Sequence, residues 1–170
     1  MITCTGTQGL SLDEAPLYWG ITVNVLVVYN SQYGNTEKIA AAIGGAIPGA
    51  RVLHASEADP SELESVGLLI VGSPTHGGRP MGAVQIILKE APASAIEGIN
   101  VAAFDTRFAS GFAKIFGYAA VRIANTLKRK GGSLVVEPEG FIVEATKGPL
   151  KEGELERAAG WAGEVLRSVP

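Results

Sequence analysis

A stretch of small polar residues follows the first apolar run of the chain and precedes a helical pattern. It comprises Asn30, Ser31, Gln32, Tyr33, Gly34, Asn35 and Thr36. The backbone N–H groups in the first turn of a helix lack partners, and the helix dipole makes that end partly positive. Ser31 and Thr36 add hydroxyl donors, while Gly34 allows the chain to wrap tightly. The stretch therefore predicts a phosphate site without a cation, or alternatively a plain capped turn.

Other phosphate-binding motifs are missing from the sequence. There is no G-x-x-x-x-G-K-[ST], and no G-x-G-x-x-G follows a strand. The single cysteine, Cys4, lies far from the polar stretch, which argues against a cysteine-nucleophile phosphatase. One cysteine also excludes an internal disulfide, a Cys-ligated iron–sulfur cluster and a structural zinc site. If this protein moves electrons, an organic cofactor must carry them.

Length and charge narrow the class of protein further. The 170 residues suit one domain, which we expect over residues 23–170. Residues 1–22 lack the basic and apolar regions of a secretory signal, and we expect a peripheral or disordered N-terminal extension. A net charge of −3 implies no broad surface for nucleic acid. Apolar runs fall short of the roughly 20 residues that span a bilayer. We expect a cytoplasmic protein without membrane insertion.

Short β-branched runs alternate with helical patterns from Val23 onward, which predicts an α/β fold with a five-stranded parallel sheet and helices on both faces. The predicted strands are 23–29, 51–55, 66–73, 100–106 and 133–145, the last interrupted at Pro138-Glu139-Gly140. Helices are predicted to bury Ile39, Ile43 and Ile47; Val84, Ile87 and Leu88; Phe116, Ala120, Ile123 and Leu127; and Leu155, Ala159, Ala162 and Leu166. Ligands of such doubly wound sheets bind beyond the carboxyl ends of the strands.

Three segments lie at those carboxyl ends: 30–36, 73–79 and 105–112. The second contains the turn-forming sequence Pro74, Thr75, His76, Gly77 and Gly78. His76 suits a cofactor contact or an acid near a substrate, or alternatively a surface turn. The third contains Thr106, Arg107, Phe108 and Phe112, where the alternative is that both Phe side chains fill the core and Arg107 is solvated.

The segment "VVYNSQYGNTEKIA" resembles the phosphate loop of the flavodoxin family, whose pattern after the first strand is Ser/Thr-x-Thr-Gly-x-Thr. Ser31, Gly34 and Thr36 match it, and Tyr33 stands where most members have Thr. Residues 23–167 follow the strand and helix order of the family. The resemblance implies the flavodoxin-like strand order 2-1-3-4-5 and an FMN cofactor bound through its phosphate at residues 31–36.

The two other segments resemble the flavin loops of the same family. Residues 71–84 resemble the loop in which a peptide turns over on flavin reduction, and Gly77 or Gly78 is the candidate, since glycine tolerates positive φ. His76 holds the place of a ring-stacking Trp or Tyr. The implied cofactor-binding residues of these loops are Pro74, Thr75, His76, Gly77, Gly78, Thr106, Arg107 and Phe108, with Phe112 as the other stacking candidate.

The leading interpretation is an electron-transfer protein that serves redox partner proteins through an exposed flavin edge, as a monomer or homodimer. The alternatives are an FMN-dependent NAD(P)H:quinone oxidoreductase and a flavin-free interaction domain of the same fold. Arg79 and Arg107 suggest a flavin that is easily reduced, because a nearby cation stabilises its reduced, negatively charged form. Residues 140–158 resemble the C-terminal part of flavodoxin-like proteins, with no role assigned.

Overall fold

The computed structural model describes residues 23–109 and 117–170. The predictions for residues 1–22, Phe112 and Phe116 lie outside these ranges. The strands are β1 (Val25–Tyr29), β2 (Arg51–His54), β3 (Leu68–Pro74), β4 (Asn100–Phe108), β5 (Ser133–Leu134) and β6 (Glu139–Val143). The α-helices are α1 (Asn35–Gly45), α2 (Gly82–Glu90), α3 (Ala93–Ile96), α4 (Ala119–Arg129) and α5 (Glu154–Arg167), and a 3₁₀ helix spans Pro60–Ser65.

All the strands pair in parallel in the order β2-β1-β3-β4-β5, which confirms the predicted fold class. The predicted fifth strand is split into two pieces that both pair with β4. β5 pairs with the start of β4, and β6 pairs with its end, where Asp105 lies opposite Gly140. The predicted interruption is displaced, since Glu139 and Gly140 belong to β6. Residues 135–138 separate β5 from β6 instead, and they end at Pro138, which has no N–H to donate to a neighbouring strand.

The core has two layers, one on each face of the sheet. On one face, Val71 and Ala103 pack with the predicted apolar stripes of α2 and α4. On the other, Phe104 packs with Ile39 and Ile43 of α1 and with α5. The stripes predicted for α1 and α2 are confirmed, as are the described residues of the stripe on α4. The site at the carboxyl end therefore rests on a core that is packed from both sides.

The buried stripe of α5 includes Ala162, as predicted, but its other members are shifted by one position from the predicted Leu155, Ala159 and Leu166. Ala158, Trp161, Ala162 and Val165 are buried, whereas Leu155 is 42% exposed. Trp161 explains the rotation, because its ring meets Phe104 and Phe141 edge to face at centroid distances of 6.1 and 6.2 Å. The largest side chain of the helix therefore sets which face is buried. Within the described ranges, the helices are too short or too polar to cross a membrane.

Candidate functional site

The loop between β1 and α1 turns at Gly34, which adopts the left-handed conformation (φ 83°) immediately before the helix. Its N–H donates to Oγ of Ser31 over 3.0 Å, so Ser31 closes the loop as an acceptor and keeps its own O–H proton to donate. A side chain added at Gly34 would meet no atom within 4 Å. There is thus open space beside Gly34, at the end of α1 where the first-turn N–H groups lack partners within the helix and could hold a phosphate.

The remaining residues of this loop divide into exposed and buried ones. Gln32 and Tyr33 are exposed, Tyr33 by 44%. Thr36 is 1% exposed, and its hydroxyl oxygen lies 2.8 Å from that of Thr106, which is also buried. The sequence predicted these two threonines as separate contacts to a cofactor. They are hydrogen-bonded to each other and tie the first turn of α1 to the end of β4.

A neighbour of this loop comes from the C-terminal segment to which the sequence assigned no role. The chain after β6 folds back on itself, with Glu144 N–H donating to the Pro149 carbonyl over 2.9 Å. At its tip, Gly148 (φ 100°) packs against the side chain of Asn35, so that an added Cβ would lie 2.6 Å from Asn35 Oδ1. More than a hundred residues separate the two in sequence, and no local pattern signals their contact.

The second segment forms a tight turn over residues 76–79. His76 and Arg79 exchange both backbone hydrogen bonds, of 3.0 and 3.1 Å. Gly77 and Gly78 both have positive φ (55° and 75°), which is the type I′ geometry that favours glycine at both central positions. The Gly78 carbonyl accepts a hydrogen bond of 2.7 Å from Arg122 Nε. Of the two glycines predicted to allow a peptide to turn over, Gly78 is therefore anchored to α4.

Thr75 joins this turn to both neighbouring elements. Its N–H donates to the Thr106 carbonyl over 2.9 Å, and its hydroxyl accepts from Ala119 N–H, also over 2.9 Å. Pro74 precedes it at the end of β3, opposite Thr106 of β4. The second and third predicted segments therefore lie side by side at the carboxyl edge of the sheet.

Asp105 is fully buried beneath this edge. Its carboxylate accepts hydrogen bonds from Arg107 Nε and, over 2.9 Å, from Ala120 N–H. Burial raises the pKa of the Asp105 carboxyl, and the hydrogen bond and charge of Arg107 oppose that rise. Asp105 thus fixes the position of the Arg107 guanidinium, which the sequence predicted to lie near the flavin.

Arg107 is fixed from several directions. Its guanidinium carbon lies 3.6 Å from the centre of the Tyr118 ring, and a side chain at Gly140 would overlap the guanidinium. Its side chain is only 16% exposed, so the alternative of a solvated Arg107 is wrong. Sequence reasoning missed Tyr118, since it sought an aromatic residue within segment 105–112.

Phe108 points to the opposite face of the sheet from Arg107, since successive side chains of a strand alternate. It is 46% exposed, which contradicts the alternative that it fills the core. Phe108 and Ala109 line an open cleft of about 700 Å³ together with Ile142, Val143, Glu144 and Lys151. His76 is also exposed, so both candidates for stacking are accessible to a planar ligand.

Comparison with known proteins agrees with the fold. The model of the flavodoxin family matches residues 27–161. A flavodoxin from the domain Archaea is 24% identical with a TM-score of 0.71, and the match covers 86% of this chain and 99% of that one. The WrbA-like flavodoxin of Agrobacterium tumefaciens is 20% identical with a TM-score of 0.69, covering 87% and 98%. A comparison with curated proteins found no match.

The same fold also forms part of a larger protein. Rubredoxin oxygen:oxidoreductase from Desulfovibrio gigas is 20% identical with a TM-score of 0.70, and the match covers 87% of this chain but 36% of that one. The chain belongs to the flavodoxin family, because the family model matches most of its length. Members of this family bind FMN in general.

Proposed function

We propose that this protein binds FMN and transfers electrons to or from redox partner proteins through an exposed edge of the flavin. The observation that carries the proposal is the position of the uncharged loop 31–36. It begins α1 beside the carboxyl ends of β3 and β4, where the other two predicted segments meet. An α/β sheet places its ligand at this point of its strand order, and a helix N-terminus accepts a phosphate there.

The residues divide the work of binding. Backbone N–H groups of Asn35 and Thr36 and the Ser31 hydroxyl hold the phosphate, with Ser31 positioned by the N–H of Gly34 and Asn35 by its contact with Gly148. His76, Gly77 and Phe108 border the ring system, and Thr106 and Arg107 lie towards its polar edge. FMN, when bound, supplies the one- and two-electron chemistry, and the protein sets its position and electrostatic environment.

Arg79 and Arg107 favour reduction in this proposal. Arg79 is exposed on the turn 76–79, and Arg107 lies beneath the same edge, where part of its charge is balanced by Asp105. A fixed cation lowers the energy of negative charge on a neighbouring group, and more so where water is partly excluded. We therefore expect a flavin that accepts its second electron more readily than one surrounded by carboxylates.

The direct experiment is purification of the full chain followed by an absorption spectrum between 350 and 500 nm. We expect a yellow protein that releases FMN on denaturation, or an apoprotein that stays yellow after FMN is added and the unbound FMN is removed by desalting. A colourless protein that takes up no FMN favours the flavin-free interaction domain instead. Size-exclusion chromatography of the same sample tests the expected monomer or homodimer.

An FMN-dependent NAD(P)H:quinone oxidoreductase is the second candidate. The open cleft beside Phe108 favours it, because a substrate of such an enzyme must lie against the flavin ring. The FMN-loaded protein is mixed with NADPH and a soluble quinone, and the absorbance of NADPH is followed. Rapid quinone-dependent oxidation identifies an enzyme, whereas an unchanged trace together with reversible reduction by dithionite identifies a carrier.

A further inference from the structure

The proposed phosphate loop carries no cation of its own. Residues 30–36 have only uncharged side chains. Glu37 follows them in the first turn of α1, and its carboxylate accepts a hydrogen bond from the Tyr29 hydroxyl. A phosphate monoester carries a charge of about −1.5 to −2 at pH 7. A cation that balances this charge must therefore come from outside the loop.

The chain after β6 brings such a cation to the loop. We call residues 142–151 the C-terminal hairpin. Val143 and Leu150 form an antiparallel bridge across it. Glu154 of α5 is buried, and its carboxylate accepts a hydrogen bond of 2.7 Å from the Ile142 N–H at the start of the hairpin. The hairpin is therefore held at its base by both the sheet and a helix.

The tip of the hairpin lies against the start of α1. There the Gly148 N–H donates to the Ala145 carbonyl over 2.9 Å, and Lys147 is a central residue of the turn that this bond closes. Gly148 packs against the side chain of Asn35, the first residue of α1. Consecutive Cα atoms are about 3.8 Å apart, and the five bonds of a lysine side chain span roughly 6 Å. The ammonium group of Lys147 can therefore reach the space in front of the first turn of α1.

The charge of Lys147 is available to a ligand. The side chain is exposed, and it forms no ion pair or hydrogen bond with the residues that the structure describes. Lysine binds phosphate as a compact point charge on a flexible stem, which adjusts its position to the ligand. A fixed position before binding is therefore not required for this role.

We propose that Lys147 is the cation of the phosphate site, where it pairs with the terminal phosphate of FMN and so favours FMN over flavins without a phosphate. This inference deepens the proposed function and rests on it for the identity of the ligand. The backbone N–H groups of α1 and the Lys147 ammonium group then approach the phosphate from two separate elements. The contact between Gly148 and Asn35 sets the distance between these elements.

The test compares FMN with riboflavin on the apoprotein of the full chain and on Lys147→Met, by fluorescence quenching at low salt and at about 0.3 M salt. Lys147→Met should bind FMN about five- to tenfold more weakly at low salt and riboflavin with unchanged affinity. The loss should be smaller at high salt, because salt screens exposed charges, and Lys147→Arg should retain most of the affinity. An unchanged FMN affinity in Lys147→Met, or an equal loss for both flavins, would overturn the inference.

Two other lysines provide matched controls. Lys38 is exposed on α1, one turn after the loop, and Lys128 is exposed near the end of α4. Lys38→Met and Lys128→Met remove the same charge and should each change FMN affinity by less than about twofold. If either control loses as much affinity as Lys147→Met, the effect comes from the overall charge of the protein, and the contact is refuted.

A further arm separates this inference from the proposed function. Inorganic phosphate is titrated calorimetrically into the unsubstituted protein and into Lys147→Met, both without flavin. Phosphate binding that depends on Lys147, in a protein that takes up no FMN, would support the cation and refute the flavin. Equal FMN binding by the two proteins would refute the cation and leave the flavin in place. Absence of binding with both FMN and phosphate would refute both.

Discussion

The hydroxyl oxygens of Thr36 and Thr106 lie 2.8 Å apart, and both side chains are buried. Thr36 belongs to the first turn of α1, where the phosphate is proposed to bind. Thr106 belongs to the end of β4, beside the proposed ring system. A single buried hydrogen bond thus connects the two halves of the candidate site.

Thr106→Val should lower the free energy of unfolding by about 1–2 kcal/mol, because it leaves the buried hydroxyl of Thr36 without this partner. The double variant Thr36→Val/Thr106→Val should lose less than the sum of the single variants, since both groups are then apolar. Urea unfolding of the three variants measures this coupling. Thr146→Val, at an exposed position, serves as the control and should change stability by less than about 0.5 kcal/mol. Strictly additive losses would mean that the two hydroxyls do not interact.

Gly148→Ala should weaken FMN binding by about 1 kcal/mol, or roughly fivefold, because the new Cβ overlaps the side chain of Asn35 and displaces this residue of the phosphate loop. The positive φ of Gly148 adds strain of about 1 kcal/mol to the folded state. Gly160→Ala is the matched control, since that glycine lies within α5 and an added Cβ meets no atom within 4 Å. Fluorescence titration with FMN gives the dissociation constants. An affinity in Gly148→Ala equal to that of the control would remove the C-terminal segment from the site.

Arg107→Met should destabilise the fold by about 3 kcal/mol at pH 8, because it leaves the buried Asp105 carboxylate without its cation. Burial raises the pKa of Asp105 in the folded protein above its value of about 3.9 in the unfolded chain. The stability that this group contributes is therefore present below about pH 3.9 and is lost as the pH rises through the pKa of the folded protein. Without Arg107 the folded pKa rises further. The loss of stability should therefore shrink between pH 8 and pH 5, which urea unfolding at several pH values measures. A loss that is constant with pH would contradict the pairing.

Arg107→Ala should make the second reduction of bound FMN harder, by a few tens of millivolts. A partly screened charge near the ring is worth about 1 kcal/mol, and about 59 mV corresponds to a tenfold change for one electron. A redox titration followed by absorbance gives the two potentials, and Arg167→Gln provides the distant control. A second potential that is strongly negative in the unsubstituted protein and unchanged in Arg107→Ala would reject the electrostatic role of this residue.

Alternation of apolar runs with helical stripes was sufficient to predict the sheet, its class and the place of the three loops. Trp161 shows where periodicity falls short, because the stripe of α5 depends on how one large ring packs against Phe104 and Phe141. In the site, too, local features were predictable and distant contacts were not. Two consecutive glycines predicted the turn at Gly77 and Gly78, and both have the positive φ that such a turn requires.

The contacts that hold the site together lie between residues distant in sequence. Asn35 meets Gly148, Gly78 meets Arg122, and Arg107 meets Tyr118 through pairing of the strands and packing of the helices. Residue type alone does not reveal such partners, because each depends on the register of the sheet and on the rotation of a helix. Thr36 and Arg107 show this, because their partners Thr106 and Asp105 were not apparent from the sequence, whereas their contacts with a cofactor stay a prediction.

The most direct test of the account compares FMN with riboflavin, which has the same ring system but no phosphate. Apoprotein is titrated with each, and binding is followed by flavin fluorescence and by calorimetry. Because the N–H groups at the start of α1 are proposed to hold the phosphate, FMN should bind at least about a hundredfold more tightly, a difference of roughly 2.7 kcal/mol. Equal affinities, or neither quenching nor heat with FMN, would contradict the account.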